Sequence, residues 1–184
     1  MTNNPQVLGI SGSPRRNGNT ETLVQEILSS AEQAGASTAL VILDELDIQP
    51  CKGCFACSKT HECMQQDDMN NVAKKMQQSV VWVLGTPIYW WGPSAQFKAF
   101  LDRWVSISRA TFRGKKVILA IPMGGGSESY AQHTLAMFED IFSYLNMKHI
   151  ATVLAPGSDR RDAVRNSPQI LERARQIGKD LVNS

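Results

Sequence analysis

Four cysteines fall within 13 positions of a 184-residue chain, spaced Cys51-x-x-Cys54-x-x-Cys57-x-x-x-x-x-Cys63. A thiolate is a soft metal ligand and a nucleophile, and four this close can fold around one metal centre. Two Cys-x-x-Cys steps followed by a fourth cysteine suit an iron–sulfur cluster. The last gap is longer than in the compact bacterial run, and no proline follows Cys63. Four thiolates also suit zinc. Without a metal they are free thiols. The spacing leaves all three readings open.

A second group begins earlier, in Gly9-Ile10-Ser11-Gly12-Ser13-Pro14-Arg15-Arg16-Asn17-Gly18-Asn19-Thr20. It follows a short apolar run, Gln6 to Ile10, and precedes a helical pattern. A strand, a loop of small residues and a helix start make an anion site, because loop N–H groups and the helix N-terminus point at one place. Ser11, Ser13, Asn19 and Thr20 add side-chain donors, and Arg15 or Arg16 adds a positive charge. A plain polar turn capping a helix would explain Gly, Asn and Thr, but not two serines and two arginines together. The loop is not a Walker loop, since Gly12 and Gly18 bracket five residues and Asn19 stands in place of the lysine. A Gly-x-Gly-x-x-Gly dinucleotide fingerprint is absent too. The donors suit a single terminal monophosphate.

A third group is Pro87-Ile88-Tyr89-Trp90-Trp91-Gly92-Pro93. Three adjacent aromatics in a proline-flanked loop cannot all face a core. One or two of them can stack on a flat ring. The competing expectation is that one tryptophan plugs the core and another meets a partner subunit. Gly124, Gly125 and Gly126 allow close backbone approach to a ligand, though a glycine triplet alone is only a turn. His61, His133 and His149 are isolated, with no nucleophile beside them in a recognisable triad.

The elements that must position these groups are read from periodicity. Leu23, Val24, Ile27, Leu28, Ala31 and Ala34 recur at helical spacing, so Thr20 to Ala34 is a helix ended by Gly35. Thr38 to Leu43 is a second strand. Asp44 to Gln66 is a long loop carrying all four cysteines, and such length marks function or disorder. Asp67 to Gln78 is a short helix with Asp67 as its N-cap. Val80 to Leu84 is the third strand. A helix runs from Ser94 to about Ser108, with Lys98 and Asp102 paired on its surface. Lys116 to Pro122, Tyr130 to Asn146, Lys148 to Ala155 and Pro168 to Val182 complete the alternation as strand, helix, strand and helix. Pro156 to Ser167 is a polar loop.

That alternation predicts one α/β domain over residues 1–184, a three-layer, doubly wound, five-stranded parallel sheet. The loops after the first, third and fourth strands then meet at the carboxyl edge of the sheet, where such folds bind ligands. A response-regulator reading fits poorly, because Ser11 and Pro87 stand where its acidic residues are needed. The net charge of +2, with Lys and Arg scattered, excludes a basic stripe for nucleic acid. No apolar run is long enough to span a membrane. Met1 to Gln6 does not read as a signal peptide, and clustered thiols without one point to the cytoplasm.

Ser11 to Arg15 and Gly18-Asn19-Thr20 together resemble the phosphate loop of the flavodoxin-like NAD(P)H-dependent FMN reductases. Pro87-x-Tyr89, followed by Ser94-x-x-x-Lys98-x-x-x-Asp102-Arg103, is similar to the flavin-side loop and following helix of that family. The cysteine spacing resembles the motif of its iron–sulfur flavoprotein group. The resemblance implies the flavodoxin-like strand order 2-1-3-4-5 and bound FMN. It places Ser11, Ser13, Arg15, Gly18, Asn19 and Thr20 around the phosphate, and Pro87, Ile88, Tyr89, Trp90, Trp91 and Gly92 along the ring. Gly124, Gly125 and Gly126 join them by their place after strand four. Lys98, Asp102 and Arg103 are helix and interface scaffolding on this reading. Cys51, Cys54, Cys57 and Cys63 are the candidate ligands of a 4Fe–4S cluster. No catalytic side chain is required. The implied activity is NAD(P)H-dependent reduction of a flavin, quinone or similar small acceptor. The alternative is an electron carrier fed by a ferredoxin-like donor through cluster and FMN. A homodimer or homotetramer is the habit of such proteins.

Overall fold

The structure is a computed structural model describing residues 7–60 and 62–183. His61 and Met1 to Gln6 lie outside the described residues. The sheet has five strands: β1 (Val7–Ser11), β2 (Thr38–Ile42), β3 (Val81–Gly85), β4 (Lys116–Pro122) and β5 (Lys148–Ala155). All pairs are parallel, in the order β2-β1-β3-β4-β5. In register, Ser11 lies between Ile42 and Gly85, so the Gly12–Gly18 loop leaves β1 level with the end of β3.

Alternation along each strand divides the core between two faces. Leu8, Ile10, Trp82, Leu84, Val117 and Leu119 face α2 (Met69–Gln78), α3 (Ala95–Asp102) and α4 (Gln132–Leu145). Val7, Val81, Val83, Ile118 and Ala120 face α1 (Asn19–Gln33) and α5 (Pro168–Asn183). Both faces are covered, which is why the strands read as continuous apolar runs. The stripe read on α1 is the buried one, Leu23 to Ala31. Gly35 ends that helix with φ +106°: its N–H donates to Glu32 O and that of Ala36 to Ala31 O, a Schellman closure.

Three expectations change in detail. The helix expected from Ser94 to Ser108 stops at Asp102 and tightens into a 3₁₀ turn, Arg103–Ser106. Ser106 Oγ donates to Arg103 O at 2.9 Å, satisfying a carbonyl that the next helical turn would have used. The α2 helix begins at Met69 behind Asp68, because the Asp67 carboxylate is engaged by Arg103 and by the Gln49 and Met69 N–H groups. Neither Trp90 nor Trp91 plugs the core. The buried indoles are Trp82 and Trp104, which meet edge to face at 5.7 Å.

Candidate functional site

The phosphate loop is held open by its own sequence. Glu21, in the first turn of α1, reaches back to accept the Asn17 N–H at 2.7 Å and the Arg16 Nε–H at 3.2 Å. Asn17 takes a left-handed φ of 54°, so the chain enters the helix with its first N–H groups toward the loop. Arg16 is drawn away to Glu21 and Glu45, which leaves Arg15 as the loop's available cation. Arg15 Nη1 donates to Asp159 O at 3.2 Å.

The aromatic loop is a two-stranded hairpin, Ile88–Tyr89 paired with Gly92–Pro93. Its two turn residues are Trp90 and Trp91, at φ 51° and 61°. Two positive φ values are the mark of a type I′ turn, a position that favours Asn and Gly and that bulky side chains rarely adopt. The hairpin is pinned at both ends. Thr134 Oγ1 on α4 donates to Trp91 O at 2.8 Å, and Ser94 N–H donates to Thr86 Oγ1 at 3.1 Å. Buried Ser94 also caps α3, accepting the Phe97 N–H at 3.2 Å, while its hydroxyl donates to Gly12 O. One serine thus couples the hairpin base to the phosphate loop.

These segments enclose a cavity of about 240 Å³ at the carboxyl edge of the sheet. One end is polar: Ser13, Arg15, Asn19 and Thr20, at the start of α1. The other is Pro87, Ile88, Tyr89, Pro122, Met123 and Gly124. A second hollow of about 290 Å³ shares Ile88, Met123, Gly124 and Asp159 with it and adds Trp90, Trp91, Gly125 and Tyr130. Together they make one trough with a polar end and an aromatic end.

Four expected residues lie off the trough wall. Ser11 is buried, and its hydroxyl has no hydrogen-bond partner. Gly18 is the N-cap of α1, Gly92 starts the return arm of the hairpin, and Gly126 lies beyond the turn. Asn19 is on the wall, but its amide is spent on the loop after β5: Nδ2 donates to Ser158 O and Arg160 O, and Oδ1 accepts the Val164 N–H. Ser158 and Asp159 were missed, because their segment reads only as a polar loop. The available signal was its position after β5, at the same sheet edge.

The four cysteines line a separate cavity of about 250 Å³, together with Phe55, Met64, Arg103 and Val105. Its loop is laced shut at the base, where Asp47 and Asp68 exchange contacts: Asp47 N–H to Asp68 Oδ2 at 2.8 Å, and Asp68 N–H to Asp47 O at 3.0 Å. Below them Arg103 and Asp67 form a buried ion pair, their side chains 0% and 3% exposed. Burial works to lower the Arg103 pKa, but Asp67, and then Cys63, hold it above the ordinary value. Arg103, expected as helix and interface scaffolding, is buried and belongs to the wall of the cysteine cavity. Among the described residues, no three Cys, His, Asp or Glu side chains are close enough to hold a single metal ion. His133 and His149 are on the surface, away from both cavities.

Residues 5–160 match the family model described as NADPH-dependent FMN reductase. The chain belongs to that family. An iron–sulfur flavoprotein of Methanocaldococcus jannaschii is 32% identical, over 96% of this chain and 95% of its own length. An iron–sulfur flavoprotein of Archaeoglobus fulgidus is 37% identical, over 72% of this chain and 70% of its own. Among solved structures, a NAD(P)H:quinone oxidoreductase from Methanothermobacter marburgensis superposes with a TM-score of 0.72 at 16% identity, covering 96% of each chain, and shares the fold.

An FMN reductase of this family is an FMN-dependent oxidoreductase using NAD(P)H. The trough fits that cofactor: its polar end has the donors and charge for a terminal phosphate, and its aromatic end has flat apolar walls for a ring. No helix among the described residues is long and apolar enough to cross a membrane.

Proposed function

We propose that the trough seats FMN with its phosphate at Ser13, Arg15 and Thr20 and its ring between the Pro87–Trp91 hairpin and Met123–Gly125. The observation that supports this most is that both ends of one trough carry the matching chemistry. When bound, FMN would supply the redox chemistry for electron transfer from NAD(P)H to a small acceptor such as a quinone or flavin. The protein's residues bind and orient. The α1 N-terminus and Arg15 neutralise the phosphate, and Ser94 keeps the phosphate loop in register with the hairpin. Trp90 leaves the ring end open on one side, since it is 91% exposed.

The cysteine cavity favours a second element of the reading, an iron–sulfur cluster held by Cys51, Cys54, Cys57 and Cys63. Tetrahedral zinc would draw its sulfurs to within about 3.8 Å of one another, given Zn–S bonds of about 2.3 Å. Four cysteines spread around a cavity of about 250 Å³ suit a larger inorganic core better. Such a protein could relay electrons from a ferredoxin-like donor as well as oxidise NAD(P)H. Cytoplasmic location and a homodimer or homotetramer belong to the same reading. Unbridged cysteines agree with a reducing compartment.

The test is an anaerobic visible spectrum of the purified protein, with iron and sulfide analysis and an NAD(P)H oxidation assay. Flavin bands with steady turnover support the reductase. Flavin with iron, sulfide and negligible turnover supports the carrier. A colourless protein that stays so after incubation with FMN sinks both.

A further inference from the structure

Arg103 combines features that fold stability alone explains poorly. Its side chain is wholly buried, and its Nη atoms are committed to Asp67 and to Gln49 O. Its Nε–H is buried with no partner. A buried ion pair roughly breaks even against an apolar pair of the same size, and an unmade hydrogen bond from a charged group adds a further penalty. The cavity that Arg103 lines contains all four cysteines. The other charged residues on that wall are Lys52, which is exposed, and Asp102, which is tied to Lys98 at 2.7 Å. Among the described residues, Arg103 is therefore the buried cation of the site.

Four thiolates around an iron–sulfur core carry net negative charge, and reduction adds to it. A fixed cation at the wall lowers the energy of the reduced form more than that of the oxidised form. Hydrogen bonds to the sulfurs act in the same direction. We propose that Arg103, locked in place by Asp67, is a positioning residue that compensates the charge of the cysteine-held cluster and raises its reduction potential, with Nε–H as the donor toward the sulfurs. This rests on the cluster reading above. It gives the buried pair a division of labour: Asp67 orients the guanidinium from one side, and the other side serves the cavity.

The experiment compares wild type, R103K and the double variant R103M/D67L, each reconstituted anaerobically with ferrous iron and sulfide. R103K keeps the charge but loses the planar donor set. The double variant replaces the pair with apolar groups, so no lone buried charge remains. FMN retention in the separate trough and far-UV circular dichroism report folding. Midpoint potentials come from redox titration followed by electron paramagnetic resonance. The expected result is a more negative potential in both variants, because both lose the guanidinium Nε–H donor. Variants that keep FMN but no longer retain iron would show that the pair only holds the cysteine loop together, and would overturn the proposal. Variant potentials matching wild type, with full iron content, overturn it and leave the cluster reading intact. Failure of wild type itself to take up iron and sulfide removes the cluster reading, and the proposal with it.

Discussion

The Asn19 side chain donates to the carbonyl oxygen of Ser158 at 3.0 Å, joining the first turn of α1 to a loop 139 residues away. The same amide reaches Arg160 O and accepts the Val164 N–H at 3.0 Å, so one residue makes three of the contacts that hold the loop after β5. Asn19→Ala should destabilise the protein by about 1–3 kcal/mol, the cost of stranding buried partners. It should also weaken FMN binding, because Ser158 and Asp159 form part of the trough. Denaturant unfolding and flavin titration would show both. Wild-type stability and affinity would mean that the loop is held by other contacts.

Arg15 is the cation left free to face the phosphate once Arg16 is taken by Glu21 and Glu45. A charge-assisted contact is worth about 1.5–3 kcal/mol. Arg15→Ala should therefore raise the Kd for FMN roughly 10- to 100-fold, read by recovery of flavin fluorescence on release. Arg16→Ala should alter FMN affinity far less. Equal effects of the two would sink this assignment.

The Trp90–Trp91 turn holds two bulky residues at positive φ, where each L residue costs about 1–2 kcal/mol. Strain of this kind persists where function retains it. Trp90→Asn with Trp91→Gly supplies the residues that a type I′ turn favours. The double variant should unfold at a higher denaturant concentration than wild type, yet hold FMN or its acceptor less well. A variant no more stable than the parent would show that the turn is unstrained.

Gly12 is demanded by contact. A Cβ there would sit 2.7 Å from Phe97 Cβ, beneath the phosphate loop. Gly12→Ala should cost about 1–3 kcal/mol by overpacking. It should also loosen the phosphate loop, since Gly12 O accepts the Ser94 hydroxyl. Thermal melts with and without FMN would resolve the two effects; an unchanged melt in both states would contradict the close packing.

Burial alone would raise the Asp67 pKa, but the hydrogen bond and charge of Arg103, with the Gln49 and Met69 N–H groups, outweigh it and hold the carboxyl below its ordinary range. Its stabilisation is therefore complete above the unfolded value of about 3.9 and is lost as pH falls through the lower folded value. Asp67→Asn should lose about 3–5 kcal/mol near neutral pH, as expected for breaking a buried pair. The gap from wild type should close only below about pH 4. Stability measured against pH would reveal a gap that shrinks at higher pH, if the sign were wrong.

Much of the architecture was legible because it depends on local pattern. Leu23 to Ala31 repeat at helical spacing, and β1, β3 and β4 are apolar but for Ser11 and Lys116 at their ends, because both faces are covered. Residues close to one another in the chain, Ser13, Arg15, Asn19 and Thr20, make the polar end of the trough. Element ends were less legible. Nothing local announced that α3 ends at Asp102, or that Arg103 just beyond it meets Asp67, 36 positions away.

By itself, then, the order of residues determined an alternating α/β chain, a loop of hydroxyl, amide and basic side chains after β1, an aromatic loop after β3 and a set of clustered thiols. Each of these is a property of neighbours along the chain. Tertiary structure alone decided that Asn19 would serve the loop after β5, that Asp159 would join the trough, and that Arg103 would be buried against the cysteines. Those outcomes depend on which polar groups meet once the sheet has closed. Buried donors and acceptors must find partners, and the partner's position is set by packing rather than by sequence distance.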